Sequence, residues 1–334
     1  MDRCWYVTEG WGIHDERWTS ALRAQGFDPQ IISLQRTGAS VAEVRSRLLQ
    51  VAEERDLSPV LAGPLTTVTS HLLGIPQRLV GLSWGFDLLG PQASSLDLAQ
   101  LDHVIVDSPA SAEIAESSGV SAHNTSTIYW GTDLDAFTPE GPRMDLSTFH
   151  VPAHARVVLS LRAHENLYRV VDLLDAWPGI LAQQPDAHLL LGNEGSLTPE
   201  LESHARKLEI GGNVHFIGRM PETDLAPLLR SVDLYVSTSP VDGTSVTMLQ
   251  AMATGCPVLV TDIPGNRNWI QSGSTGYLYS TGDALSLSSA IDAALTDTGT
   301  AKQQTLIATA LDSVRDRADW NHNQQLLRAA LLPH

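Results

Sequence analysis

Twelve short runs of aliphatic and β-branched residues recur along this chain, separated by stretches with helical spacing. Strand and helix in strict alternation favour a parallel sheet, because each helix carries the chain back across the sheet before the next strand begins. In the first half the runs fall at 4–7, 31–34, 60–62, 79–82, 104–106 and 127–129. In the second they fall at 156–160, 188–191, 214–217, 234–236, 258–260 and 277–279. The helices are as legible. Trp18, Ala21 and Leu22 share one face of 15–25, with Gly26 at its stop position, and Val41, Val44, Leu48 and Val51 recur on another. Two groups of six predict an α/β protein of two Rossmann-like, doubly wound domains facing a central cleft, with ligands at the carboxyl ends of the strands. A length of 334 residues also suits two cores better than one. Residues 137–155 carry Pro139, Gly141, Pro142 and Pro152 without sustained periodicity and read as the linker. The expected domains are 1–140, joined by a terminal helix over 319–334, and 153–318.

Charge narrows the partners. The chain has 21 basic and 38 acidic side chains, a net charge of −17, and Lys207 and Lys302 are its only lysines. So acidic a surface repels nucleic-acid phosphates and anionic lipid. No nucleic-acid partner and no strong membrane association are expected. Cys4 and Cys256 are too few for a disulfide framework or a zinc site. The twelve histidines show no metal-ligand spacing, and His103, His188 and His215 read as strand residues. With no apolar run of membrane-spanning length and no leader pattern, a cytoplasmic location is expected.

The segment with most chemistry in it runs from Ser237 to Asp262. A strand ends, a loop carries Asp242 and Gly243, and a helix starts near Thr244 or Ser245, then stops at Gly255 before Pro257. Gly243 lets the backbone come close to a ligand. Thr244 and Ser245 suit an N-cap, and the free N–H groups of a helix start bind anions. Such a segment is either a phosphate or sugar cradle or a plain capped crossover between strands.

Asp242, Gly243, Gln250, Ala251-Met252-Ala253, Gly255 and Pro257-Val258 together resemble the donor motif of glycosyltransferase family 4, retaining enzymes of the GT-B fold. The resemblance extends over most of the chain. Ser160-Leu161-Arg162 is similar to the family's arginine motif, and Gly192-Asn193-Glu194-Gly195 to its glycine turn. Phe216 to Met220 resembles the segment that meets the nucleobase, and Trp130-Gly131-Thr132-Asp133 with Phe137 and Pro139 the family's hinge marker. Ile263 to Arg267 resembles the loop after the donor helix, and Ala318-Asp319-Trp320 the entry to its last helix. Asp242 stands for the family's first glutamate and Gln250 for its second. Tyr168 and Arg169 occupy the place of its usual lysine, and Trp84, in Ser83-Trp84-Gly85-Phe86-Asp87, that of a histidine.

The resemblance implies a retaining, metal-independent transfer of a sugar from a nucleotide-diphosphate donor, a UDP- or GDP-sugar, to an acceptor hydroxyl on a carbohydrate or small molecule, with no cofactor. Arg162 and Asp242 are the expected catalytic pair. Gly243, Thr244, Ser245, Val246, Gln250, Gly192, Arg219 and Met220 are expected at the donor. Arg169 is a candidate second cation, though it suits a solvated helix face equally well. Gly10, Gly12, His14 and Trp84 are the candidates for a loop near acceptor and phosphate. The departures at Gln250, Trp84 and the missing lysine also fit a donor-binding or scaffolding subunit with weakened catalysis.

Overall fold

A computed structural model of the chain describes residues 1–90, 93 and 96–332. It divides into two compact units, the first built from residues 1–130 and the chain from Trp320 onward, the second from Gly131–Asp319. Each contains a six-stranded parallel sheet. In the first unit the strands are β1 (Asp2–Thr8), β2 (Phe27–Ser33), β3 (Val60–Gly63), β4 (Leu79–Leu82), β5 (His103–Val106) and β6 (Thr125–Thr127), in the order β2-β1-β3-β4-β5-β6. The second has β7 (Arg156–Ser160), β8 (Ala187–Gly192), β9 (Val214–Gly218), β10 (Leu234–Ser237), β11 (Val258–Thr261) and β12 (Tyr277–Tyr279), in the order β12-β11-β10-β7-β8-β9.

All twelve predicted runs overlap a strand; β2 begins four residues earlier than its run, and β6 lies two residues earlier throughout. β3, β4, β5, β10 and β11 are buried along their whole length. That is why they appear in sequence as unbroken apolar runs rather than alternating ones. In each sheet the winding direction reverses once, between β1 and β3 in the first unit and between β7 and β10 in the second. Loops diverge at such a reversal and leave a crevice over the carboxyl ends. The residues that follow these four strands therefore border the crevices.

The expected linker, 137–155, falls within the second of these units. The second unit begins at Gly131, and the proline-rich segment is fastened to it. The guanidinium of Arg230, itself buried, donates to the carbonyls of Pro142 (2.9 Å), Thr138 (2.9 Å) and Glu140 (3.2 Å). Met144 N donates to Ser231 Oγ at 2.7 Å. Prolines remove N–H donors and leave carbonyls, and one arginine collects three of these. The terminal helix is also broken into Trp320–Asn323, a 3₁₀ turn at Gln324–Leu326, and Leu327–Leu331. Leu327, Ala330 and Leu331 are buried in the first unit, but Leu326, counted on the same apolar face, is exposed because the tighter turn rotates it outward.

His188 on β8 and His215 on β9 lie side by side, their rings stacked and Nδ1 of the first 2.8 Å from Nε2 of the second. Burial keeps both neutral to lower pH than a free histidine. The neighbouring charge of His154 acts on His188 in the same direction, and those of His188 and His150 on His215, while Asp186 opposes at His188. The unfolded chain takes up these protons first as pH falls through about 6.5. Stability is therefore complete above that value and lost below it. Thermal melts at pH 7.5 and 5.5 are expected to show a drop in Tm that shrinks in the His188→Asn/His215→Asn variant. An equal drop in the variant contradicts the assignment.

Candidate functional site

β7 and β10 flank the reversal in the second unit, and the chain leaving them carries Arg162 and Asp242. Their side chains meet: Arg162 Nη2 donates directly to Asp242 Oδ2. Arg162 Nη1 donates to Ser245 Oγ at 3.2 Å. Both members of the pair are largely buried, with side-chain exposures of 11% and 18%. Ser245 is the N-cap of the helix Val246–Ala253, its Oγ accepting from Met248 N at 3.4 Å. The first N–H groups of that helix have no partner within it. A guanidinium and a helix N-terminus thus converge at one point, the combination that binds phosphate oxygens.

The surrounding contacts fix the two loops. Thr238 Oγ1 donates to the Tyr168 carbonyl at 2.8 Å, linking the segment after β10 to the one after β7. The Arg162 guanidinium lies 4.7 Å from the centre of the Tyr168 ring. Trp269 Nε1 donates to Thr244 Oγ1 at 3.4 Å. Gly265 sits so tightly against the loop that a β-carbon there would overlap the carbonyl oxygens of Asp242 and Gly243. Gly243 is buried beneath it and Val246 is half-buried at the helix start. Deeper in the same helix, Gln250 is buried and its Oε1 has no partner among the described residues. An acceptor left unpaired at this depth is costly unless a ligand or water donates to it.

Arg169 is not part of this convergence. It adopts a left-handed backbone and lays its guanidinium side-on against Asp172, Nε to Oδ2 at 2.8 Å and Nη2 to Oδ1 at 2.9 Å. Asp172 lies three residues on, and the pair closes on itself. In this structure Arg169 is paired with Asp172, and it is the Tyr168 ring that lies against the Arg162 guanidinium. Gly192 ends β8, where a side chain would strike Leu161, and Asn193 N donates to the Gly218 carbonyl at 2.7 Å. Arg219, exposed, and Met220, half-buried, follow β9 on that second loop. His164, two residues past Arg162, is buried with Nδ1 2.9 Å from Thr198 Oγ1. It lines a pocket of about 140 Å³ together with Glu165, Asn166, Arg169 and Leu197.

In the first unit the glycine loop after β1 is the turn into the helix Ile13–Ala24. Gly12 is the N-cap and its N–H donates to Asp15 Oδ2 at 2.8 Å, while Gly10 accepts at its carbonyl from Ser33 Oγ at 2.8 Å. Neither has a positive φ, and a β-carbon on Gly12 would meet nothing within 4 Å. The fold therefore does not require glycine at Gly12. His14 and Trp84 do come together. His14 contacts Trp130 edge-on at 4.6 Å between ring centres and Trp84 at 6.1 Å, and Trp84 meets Trp130 at 5.5 Å. Trp84 is held from behind by Asp87, whose buried carboxylate accepts from Ser83 Oγ (2.6 Å), Trp84 N (3.2 Å) and Leu65 N (2.8 Å). Burial pushes the Asp87 carboxyl up, against the pull of these bonds. Asp87 thereby ties the loop after β4 to the loop after β3, a role its place in the Trp84 motif did not reveal.

Residues 149–310 match the family model described as glycosyl transferases group 1, so the likeness is carried by the second unit. The phosphatidyl-myo-inositol mannosyltransferase of Mycobacterium leprae is 30% identical over 151 residues, 45% of this chain and 38% of that protein. The lipopolysaccharide core biosynthesis glycosyltransferase LpsE of Rhizobium meliloti is 28% identical over 181 residues, 53% and 52% of the two chains. The chain thus spans about half or less of the length of these curated relatives. Two solved structures superpose over nearly the whole molecule. HepE of Anabaena in complex with UDP-glucose gives a TM-score of 0.78 at 19% identity over 99% of each chain. Sucrose-phosphate synthase of Thermosynechococcus elongatus gives 0.79 at 17% identity over 98% of each. At such identities the likeness concerns fold, and the fold is GT-B.

Proposed function

We propose that this protein is a retaining glycosyltransferase that moves a sugar from a nucleotide-diphosphate donor to an acceptor hydroxyl in glycoconjugate, polysaccharide or natural-product biosynthesis. The observation that carries the reading is the meeting of Arg162 with the capped start of the helix Val246–Ala253 at the sheet reversal. The diphosphate would lie against Arg162 and the N–H groups from Gly243 to Val246. Asp242 would face the sugar hydroxyls and Gln250 the ribose. Gly192, Arg219 and Met220 would frame the base. HepE, of the same fold, is known with UDP-glucose, which favours a UDP-sugar ahead of a GDP-sugar.

Chemically, the demand in such a transfer is to stabilise the charge that grows on the departing diphosphate. A positioned guanidinium and backbone N–H groups do this with little reorganisation. In the retaining course the acceptor oxygen bonds to the anomeric carbon on the same face from which the diphosphate departs, and the leaving phosphate itself accepts the acceptor's proton. This course needs no second carboxylate on the opposite face. The first unit would supply the acceptor's surroundings, where Trp84 and His14 offer ring faces and edges and Gly10 and Gly12 leave the backbone approachable. No cofactor and no nucleic-acid partner belong to this reading, and a cytoplasmic site of action fits a nucleotide-sugar substrate.

A second reading, a donor-binding subunit with weakened catalysis, is favoured by the neutral Gln250 and by Trp84 in the histidine's place. A thermal-shift series with UDP-, GDP-, ADP- and dTDP-sugars tests the donor assignment, since a ligand that binds only the folded state raises Tm. One nucleotide series is expected to raise it clearly. No shift with any of the four contradicts the donor reading. Binding without hydrolysis or transfer favours the subunit.

A further inference from the structure

The contact between Arg162 and Asp242 joins the two groups expected to serve different parts of the donor. We propose that Asp242 competes with the diphosphate for Arg162, so that the site resists a bare nucleoside diphosphate and accepts a sugar nucleotide whose hydroxyls take over the carboxylate. This rests on the donor reading of the second unit and adds to it a specificity-determining role for Asp242.

The geometry leaves little room for another arrangement. The Arg162 guanidinium has Nη2 on Asp242, Nη1 on Ser245 and its face on Tyr168, while Nε is buried with no partner among the described residues. The fork that would take a phosphate bidentately is therefore already half occupied by a carboxylate of the same charge. The backbone that carries Asp242 is held in place. Its loop is pressed against Gly265, where even a methyl group has no room, and tied through Thr238 to Tyr168. A diphosphate that takes Arg162 leaves the Asp242 carboxylate poorly solvated, without its counter-charge and beside new negative charge. Breaking a largely buried ion pair in this way is expensive. Sugar hydroxyls donating to the freed oxygens remove much of that penalty, because each supplies a hydrogen bond to a charged acceptor. The sugar would then be recognised through relief of a cost imposed by the diphosphate attached to it.

Isothermal titration of wild type and Asp242→Asn with UDP and UDP-glucose, and in parallel with GDP and GDP-mannose, tests the exchange. For the nucleotide that binds, the wild type is expected to prefer the sugar nucleotide. Asp242→Asn should bind the bare diphosphate about tenfold more tightly than wild type, the scale of one hydrogen bond to a charged group, and lose the preference. Bare diphosphate bound equally or more weakly by the variant overturns the proposal while leaving the donor reading intact. If neither protein binds any of the four ligands, both fall. Should Asp242→Asn fold poorly, wild type titrated with UDP-glucose analogues each lacking one sugar hydroxyl decides the matter. At least one analogue is expected to bind no better than UDP. Analogues that all bind like UDP-glucose overturn the exchange.

Discussion

Arg162→Ala is expected to lower turnover roughly a hundred- to a thousandfold, the loss that follows removal of one preorganised donor to a developing oxyanion. The effect should be large here because the guanidinium is held by the Ser245 hydroxyl and the Tyr168 ring and reorganises little during reaction. Donor affinity should fall as well, since the same group meets the diphosphate in the ground state. The substitution also strands Asp242, an uncompensated and largely buried carboxylate, so some loss of Tm is expected. Arg162→Ala combined with Asp242→Asn separates the two effects, restoring stability without restoring turnover. Arg162→Lys keeps the charge but not the fork and should recover only part of the rate. Steady-state kinetics with the donor identified by thermal shift is the measurement. Turnover within a few-fold of wild type would remove Arg162 from the phosphate site.

Asp87→Ala is expected to cost about 3 kcal/mol of stability, from two or three donors losing their charged acceptor in a buried place. Its side chain is 1% exposed and bonds the loops that follow β3 and β4. Removing it leaves the N–H groups of Leu65 and Trp84 and the hydroxyl of Ser83 to find other partners, and water reaches them poorly. Trp84 depends on this bracket for its position against His14 and Trp130, so acceptor turnover should fall even at temperatures where the variant remains folded. Asp87→Asn keeps one acceptor oxygen but turns an NH2 group toward N–H donors, and should fall between Ala and wild type. Urea denaturation followed by circular dichroism measures the loss. A change under about 0.5 kcal/mol, the level of an ordinary surface substitution, would contradict the bracket.

The fold was legible because burial on both faces of the central strands writes itself into sequence as plain apolar runs. β3, β4, β10 and β11 could be placed to within a residue for that reason. The edge strand β6, half-exposed and rich in threonine and serine, carries no such run and was displaced. Prolines in 137–155 signal irregular backbone but not where it docks, and Arg230, some ninety residues away, supplies the docking. At the site, Arg162, Asp242 and Ser245 were visible as motif positions, whereas their mutual contact depends on β7 and β10 being neighbours in the sheet. Arg169 suits a phosphate by charge. Its capture by Asp172, three residues on, is a local competition that charge does not reveal. Gly265 and Asp87 act through backbone packing and buried hydrogen bonds, and both are read from the fold rather than from residue type.

The assignment of the second unit to a sugar nucleotide is tested most directly by proton NMR of the protein incubated with UDP-glucose, and separately with GDP-mannose, in the presence of a panel of sugar and polyol acceptors. The expected result is growth of free nucleoside diphosphate together with a new anomeric signal of the same configuration as the donor, both absent with Arg162→Ala. A new signal of inverted configuration would contradict the retaining course. Spectra unchanged for every donor and acceptor, with no binding of either nucleotide, would contradict the donor assignment itself.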